Sequence, residues 1–339
     1  MRNADCGILP PSIRNPQFAF RNHQMDEIAK QTLARAARAF NNRPVAHVLD
    51  RIKAIVGPNN MPPVEQSKLA EKALEKLRNG EKPTAKQLAA LEFVIRLMRP
   101  VPMSRAGALD NLNTDVAQSF TGWPQFQKSV KPFLYSVGRI DLLPKESVGT
   151  GFLVSDGVLV TNRHVLDALS KGTGMLEKGQ AVVRLKYEYG APDTDAPVNI
   201  TGVLAVHETL DIALLKVEKQ KFNDAWRPLA LEPKPVAAGH AVVAVGYPFD
   251  DSKRNPLFIS ALFEGKFGVK RAAPGEVSSL GARSIFHDCS TLGGNSGSPI
   301  LSMETARVVG LHRDGYFMYR NEAVDGASLT EFIKPHLKK

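Results

Sequence analysis

The chain has 339 residues, a formal net charge of +10, 43% hydrophobic and 23% charged residues, and two cysteines. That length exceeds one small module and suits a helical part of about 100 residues joined to a β-rich part of about 215. Cys6 and Cys289 are too few for a disulfide framework and read as reduced thiols, and no stretch approaches the roughly 20 apolar residues of a membrane span.

In chain order, residues 1–23 carry prolines and glycines among polar residues and are expected to be loosely ordered or docked on another surface. Their opening, MRNADCGILPPSIRNPQF, holds no apolar run of signal-peptide length, so a cytoplasmic location is expected. Residues 24–100 read as a small helical bundle. Four runs, QMDEIAKQTLARAARAFNN, RPVAHVLDRIKAIVG, PVEQSKLAEKALEKLRNG and TAKQLAALEFVIRLMRP, place apolar residues at three- and four-residue steps. Asn41-Asn42, Gly57-Pro58-Asn59-Asn60 and Asn79-Gly80 punctuate them, and Thr84 is placed to cap the last. Residues 101–125 read as a linker, and residues 126–339 as a second domain that begins near WPQFQKSVKPFLYSVGRI.

Charge is uneven: 18 basic residues stand against 11 acidic ones in residues 1–125, and 26 against 23 in the remainder. A basic helical domain could meet nucleic acid, an acidic partner or a membrane surface. Interspersed acids, as in EKALEKLRNGEK, favour a solvated face instead, and no aromatic interleaving or DNA-reading motif supports nucleic acid.

Beyond residue 126 the pattern turns to short β runs separated by Gly, Pro and Asp clusters: AVVRLKYEY (181–189), VNITGVLAVHE (198–208), HAVVAVGYPF (240–249) and LFISALFEGKF (257–267). SLTEFIKPHL (328–337) reads as a closing helix with Ser328 as N-cap and Glu331 at its third position. The expected fold is therefore multidomain, an all-α bundle followed by an all-β domain with a C-terminal helix.

Three segments carry chemistry. GTGFLVSDGVLVTNRHVL (149–166) reads as two strands around a Ser155-Asp156-Gly157 turn, then a polar step that delivers His164 at a strand end. HETLDIALLKV sets Asp211 just before an apolar strand, where a buried acid needs a group such as a histidine Nδ1–H to accept its charge. GGNSGSP (293–299) surrounds Ser296 with Gly293, Gly294 and Gly297, whose missing Cβ atoms let amide hydrogens turn toward a developing oxyanion; Gly294 and Ser296 N–H are the candidate donors. HExxH, paired CxxC and GxxxxGK[ST] patterns are missing, so no metal or organic cofactor is expected.

These blocks resemble the chymotrypsin-like serine peptidases, and more narrowly the bacterial glutamyl endopeptidases of V8 type: TNRHVL, LDIALLKV and GGNSGSP match the histidine, aspartate and nucleophile blocks in order. The resemblance implies a double β-barrel peptidase with His164, Asp211 and Ser296 as its triad, acting on a protein or peptide. Asn295 stands where animal trypsins carry the aspartate that pairs with a released N-terminus, so that pairing is not expected here. His312 in VVGLHRDG falls where glutamyl endopeptidases contact an acidic side chain, and Thr291 matches an assisting hydroxyl. Ser290 replaces the acid of a trypsin pocket, so cleavage after Glu or Asp is the leading expectation and a small or apolar residue the next. The plain alternative for His312 is a strand histidine with no ligand role.

An intracellular peptidase needs restraint, so the helical domain is expected to engage an activating or inhibitory protein partner. In organisation the chain is similar to bacterial conflict-system peptidases that join a trypsin-like domain to a helical module, which implies limited proteolysis of a partner in antiphage defence. A different class also stays open: a binding or adaptor protein on a peptidase scaffold, with little turnover.

Overall fold

The computed structural model describes residues 30–337 except 31, 38, 41–42, 100, 113–118, 145, 178, 191–195, 251–258, 260–261 and 317–319; the expectation for residues 1–23 lies outside them. Helical backbone within 30–40 is followed by α1 (Val45–Val56), α2 (Val64–Arg78) and α3 (Ala85–Leu97). Each boundary has a local cause. Gly57, with φ +79°, ends α1, and Thr84 opens α3 in a reciprocal cap: its hydroxyl accepts from Gln87 N at 3.3 Å while Gln87 Oε1 accepts from Thr84 N at 2.8 Å. α2 buries the stripe Ala70, Ala73, Leu74 and Leu77. α3 is buried from Ala90 to Leu97, charged residues included, because it lies between the other helices and the β-rich part.

That part is a pair of closed six-stranded antiparallel barrels. The first joins β3 (Val137–Leu142), β4 (Glu146–Ser155), β5 (Val158–Thr161), β6 (Ala181–Arg184), β7 (Val198–Val206) and β8 (Ala213–Val217) in the order β3-β4-β5-β8-β7-β6. The second joins β9 (Ala241–Gly246), β10 (Arg271–Leu280), β11 (Ser284–His287), β12 (Pro299–Ser302), β13 (Val308–Tyr316) and β14 (Arg320–Asp325) in the order β10-β11-β14-β13-β12-β9. Closure leaves each sheet without a free edge. One apolar cluster runs from Phe40, Ile52, Leu91 and Phe93 of the helical region through Ile259, Leu262 and Phe263 to Val242, Ala273, Ile285 and Val309 of the second barrel. The helical region and that barrel therefore share a core.

Residues 101–112 are tied to the same barrel. Ala272 N donates to Pro102 O at 2.9 Å and Ser104 N to Lys270 O at 3.0 Å, and the hairpin of β1 (Ser104–Arg105) and β2 (Ala108–Leu109) follows. Next, α4 (Trp123–Val130) sinks Trp123, Phe126 and Val130 into a cluster built from both barrels.

Three sequence expectations need correction. Within 257–267, read as β-rich, residues 259, 262 and 263 are helical; Ile259, Leu262 and Phe263 are buried at steps of three and one, a helical face rather than a strand's alternation. The strand expected over 181–189 stops at Arg184, since Glu188 turns inward to accept from Ser104 Oγ at 2.6 Å and Gly107 N at 2.8 Å. The closing helix α6 (Gly326–Ile333) starts earlier than expected: Asp325, not Ser328, is its N-cap, because its carboxylate accepts from both Ser328 N at 2.7 Å and Ser328 Oγ at 3.0 Å.

Candidate active site

His164 stands in the first turn of α5 (Arg163–Leu169), not at the strand end that the sequence suggested. Val165, Leu166 and Leu169 are buried at helical spacing and turn the chain as soon as β5 ends. Asp211 comes from the loop before β8, shaped by His207, whose Nδ1 accepts from Thr209 N at 3.1 Å and Leu210 N at 3.0 Å. The two meet doubly: His164 Nδ1 lies 2.8 Å from Asp211 Oδ2, and His164 N donates to Asp211 Oδ1 at 3.0 Å. Asn162, buried beneath, donates to Asp211 O at 2.9 Å. The His164 side chain is 48% exposed and that of Asp211 18%, so the imidazole faces solvent and the acid supports it from behind. Burial opposes the Asp211 charge, but the hydrogen bonds and charge of His164, with a further contribution from Arg313, hold its carboxyl below the ordinary value.

Ser296 lies across from this pair. A Cβ on Gly149 would come 2.9 Å from Val165 Cγ2 and 3.1 Å from Ser296 O, so the segment carrying His164 and the segment carrying Ser296 close on the same glycine. Among the described residues neither Ser296 Oγ nor His164 Nε2 has a hydrogen-bond partner; such bonds are commonly long without substrate. Gly294 has φ +86°, and a Cβ there would strike Tyr247 O at 2.4 Å, so only glycine fits. Gly297 also has positive φ, whereas Gly293 does not. No acceptor within the described residues takes the N–H of Gly294 or Ser296, while Gly297 N donates to His312 O at 3.0 Å. Asn295 is buried, bonded through Nδ2 to Leu292 O at 3.3 Å and through Oδ1 to Ser298 Oγ at 3.3 Å, which braces the loop without an ion pair.

His312 is 3% exposed on β13, and its Nδ1 lies 3.2 Å from His287 Nε2 on the neighbouring side of the barrel. Desolvation, with the nearby His164, lowers the His312 pKa to about 4 against the raising effect of Asp314; burial likewise pushes His287 well down. Thr291 is half-buried opposite Gly315, its Oγ1 3.9 Å from where a Cβ would stand, and Ser290 is buried with its hydroxyl unbonded among the described residues. Arg313 occupies a bulge between His312 and Asp314 and pairs with Glu322 at 2.6 Å. A cleft of about 370 Å³ beside Leu280, Arg283 and Glu331 involves none of these residues.

Residues 149–311 match the family described as the trypsin-like peptidase domain, the span from Gly149 to the strand that carries His312. Over that span the barrels are similar to a trypsin-like peptidase domain. The mitochondrial protease Do-like 3 of Arabidopsis thaliana is 29% identical over 178 residues, 52% of this chain and 27% of that protein. A glutamyl endopeptidase of Staphylococcus aureus is 24% identical over 198 residues, 57% of this chain and 52% of that protein. The chain thus spans about half the length, or less, of these curated relatives. Among solved structures, a serine endoprotease from Yersinia pestis aligns with TM-score 0.45 at 16% identity, covering 63% of this chain and 67% of that one. A protein of M. tuberculosis in an inactive form aligns with TM-score 0.43 at 19% identity, covering 62% and 91%.

Two supports of the peptidase domain were missed by sequence reasoning. Thr150 on β4 is fully buried; its Oγ1 donates to Gly294 O at 2.7 Å and accepts from Tyr247 N at 3.2 Å, while its N donates to Ser296 O at 2.8 Å. One residue of the first barrel thereby fixes the serine loop of the second. Asn162 does the equivalent for the acid. Their signal was present as polar residues within or just after apolar strands, in TGFLV and VTNRH, where a polar side chain needs an assigned partner.

Proposed function

We propose that the peptidase domain hydrolyses peptide bonds through an acyl-enzyme formed on Ser296. The observation that carries this reading is the 2.8 Å contact of His164 Nδ1 with Asp211 Oδ2, set against a glycine-rich loop that presents a serine. Asp211 holds the proton on Nδ1, which leaves Nε2 as the base. Nε2 takes the Ser296 proton as Oγ attacks the scissile carbonyl, then returns it to the leaving amine; water deacylates by the same route. Gly294 N–H and Ser296 N–H receive the oxyanion, a contribution of roughly 2.7–4 kcal/mol per donor in related chemistry.

Cleavage after Glu or Asp is the specificity that His312, with Thr291 and Ser290, supports. His287 Nδ1 has no acceptor among the described residues, so the costly arrangement is an N–H there. The proton of His287 then sits on Nε2 and donates to His312 Nδ1, and His312, neutral at pH 7, carries its own proton on Nε2. A neutral donor of this kind suits a carboxylate without demanding a buried cation. The helical region is proposed to regulate limited proteolysis of a partner protein, with the resemblance to conflict-system peptidases as the ground for a role in bacterial defence. Cys289 is a buried free thiol that burial pushes up to about 12 and so leaves unreactive, while the scarcity of cysteines in the chain is the ground for proposing an intracellular location. No helix among the described residues is long and apolar enough to cross a membrane.

The test is fluorophosphonate labelling together with cleavage-site mapping on a peptide library. Labelling and cuts after Glu or Asp, both lost in Ser296→Ala, are expected, and His312→Ala should reduce kcat/KM for acidic sites at least about tenfold, equivalent to about 1.4 kcal/mol. Cuts after other residues remove His312 from specificity, and failure of the wild type to label leaves the scaffold reading.

A further inference from the structure

The helical region sends a buried ionic cluster into the peptidase domain beside the serine loop. Arg35 Nη1 lies 2.9 Å from Glu92 Oε1 and 3.2 Å from Asp288 Oδ2. Arg99 pairs through Nη1 with Asp288 Oδ2 and through Nη2 with Glu276 Oε1 at 3.0 Å, and Arg96 Nε reaches Glu92 Oε1 at 3.1 Å. Every one of these side chains is nearly or fully buried. The helical side supplies three guanidiniums and one carboxylate, and the barrel supplies two carboxylates, so neither side is neutral without the other.

Asp288 occupies a strategic place in the chain. It follows His287, which touches His312, and precedes Cys289, Ser290 and Thr291, which lead to Gly294 and Ser296. Its Oδ1 accepts from Glu276 N at 2.8 Å, leaving Oδ2 to the two arginines. Cys289 and Leu292 belong to the apolar cluster that contains Leu91, Phe93 and Val94 of α3. The segment 287–292 is thus held between the helices on one side and β13 on the other. Asp288 is kept ionised well below the usual carboxylate range because, although burial opposes its charge, Arg99 and Arg35 outweigh that cost.

We propose that Arg35 and Arg99 are positioning residues for the active site: by clamping Asp288 they hold segment 287–297, and with it the specificity pocket and the serine loop, in its working conformation. The helical region then acts as an integral support of the site, and a partner that draws it away disarms the enzyme. This proposal rests on the peptidase reading but is separable from it by a readout that needs no catalysis.

The experiment uses the full chain with Arg99→Lys, which keeps the charge but loses the fork that spans Asp288 and Glu276, and Arg35→Gln/Arg99→Gln. Lys86→Ala, an exposed cation of α3, is the control. Thermal melting identifies the variants that fold, and Arg99→Lys is the milder change if the double variant does not. Amide hydrogen exchange over 287–297 and the rate of fluorophosphonate labelling are then compared with wild type. Exchange at least tenfold faster in that segment, without change in the first barrel, and labelling at least tenfold slower are expected. Folded clamp variants with wild-type exchange in 287–297 would overturn the proposal. If the wild type itself fails to label, the peptidase reading falls while exchange still decides the clamp in the same two directions.

Discussion

At the scale of single residues, Thr150 ties the first barrel to the serine loop of the second. Its hydroxyl satisfies Gly294 O and Tyr247 N together, and its amide satisfies Ser296 O. Thr150→Val keeps the shape and removes the hydroxyl, stranding a buried carbonyl and a buried N–H at a typical cost of about 1–3 kcal/mol each. Part of that cost falls on the serine loop. The expected outcome is a drop in kcat of about ten- to a hundredfold with KM nearly unchanged, because the loop's geometry matters most in the transition state. Steady-state kinetics on a mapped peptide checks it, and an equal rise in KM with constant kcat would place Thr150 in ground-state binding instead.

At the scale of elements, the histidine pair couples β11 to β13 and makes stability depend on pH. The folded chain holds His312 near pKa 4, whereas an unfolded histidine titrates near 6.5. Between those values the unfolded state binds more protons, so stability is unaffected by this group above about 6.5 and falls as pH drops toward 4, by about 3 kcal/mol in all. His287 shifts in the same direction. Urea unfolding at pH 7 and pH 4.5 should show the loss, and His312→Gln should reduce it. That coupling was not legible in the sequence, where nothing in SIFHDCS pairs His287 with His312. The three blocks that carry the candidate residues His164, Asp211 and Ser296 stood out in the sequence because each pairs a chemical residue with local turn or strand context. The charges of α3 and of the turn after it did not: Glu92, Arg96 and Arg99 look like the solvated face of an amphipathic helix, and only the presence of a second body on that face makes them interior. For the same reason the helical spacing of Ile259, Leu262 and Phe263 was read as strand, since a short apolar run does not declare its period.

At the scale of the whole molecule, the barrels are not independent of the helices. Removing residues 1–100 would uncover the apolar surface around Ile259, Leu262 and Phe263 and leave Asp288 and Glu276 without their cations. Breaking a buried pair by deleting one partner costs about 3–5 kcal/mol, a large part of the 5–15 kcal/mol that ordinarily separates folded from unfolded. A fragment of residues 101–339 is therefore expected to melt well below the full chain and to label weakly at Ser296, measured by calorimetry and fluorophosphonate labelling on the two proteins in parallel. Faster labelling of the fragment would instead make the helical region an inhibitor. The hydrogen bond from Arg35 to Asp288 joins positions 253 residues apart. A contact so distant in sequence carries the closure entropy of a long loop, so it is expected to form later than the contacts local to each barrel. On the clamp proposal, competence at Ser296 follows the closure of that contact, and a chain whose helices have not yet docked is not expected to label.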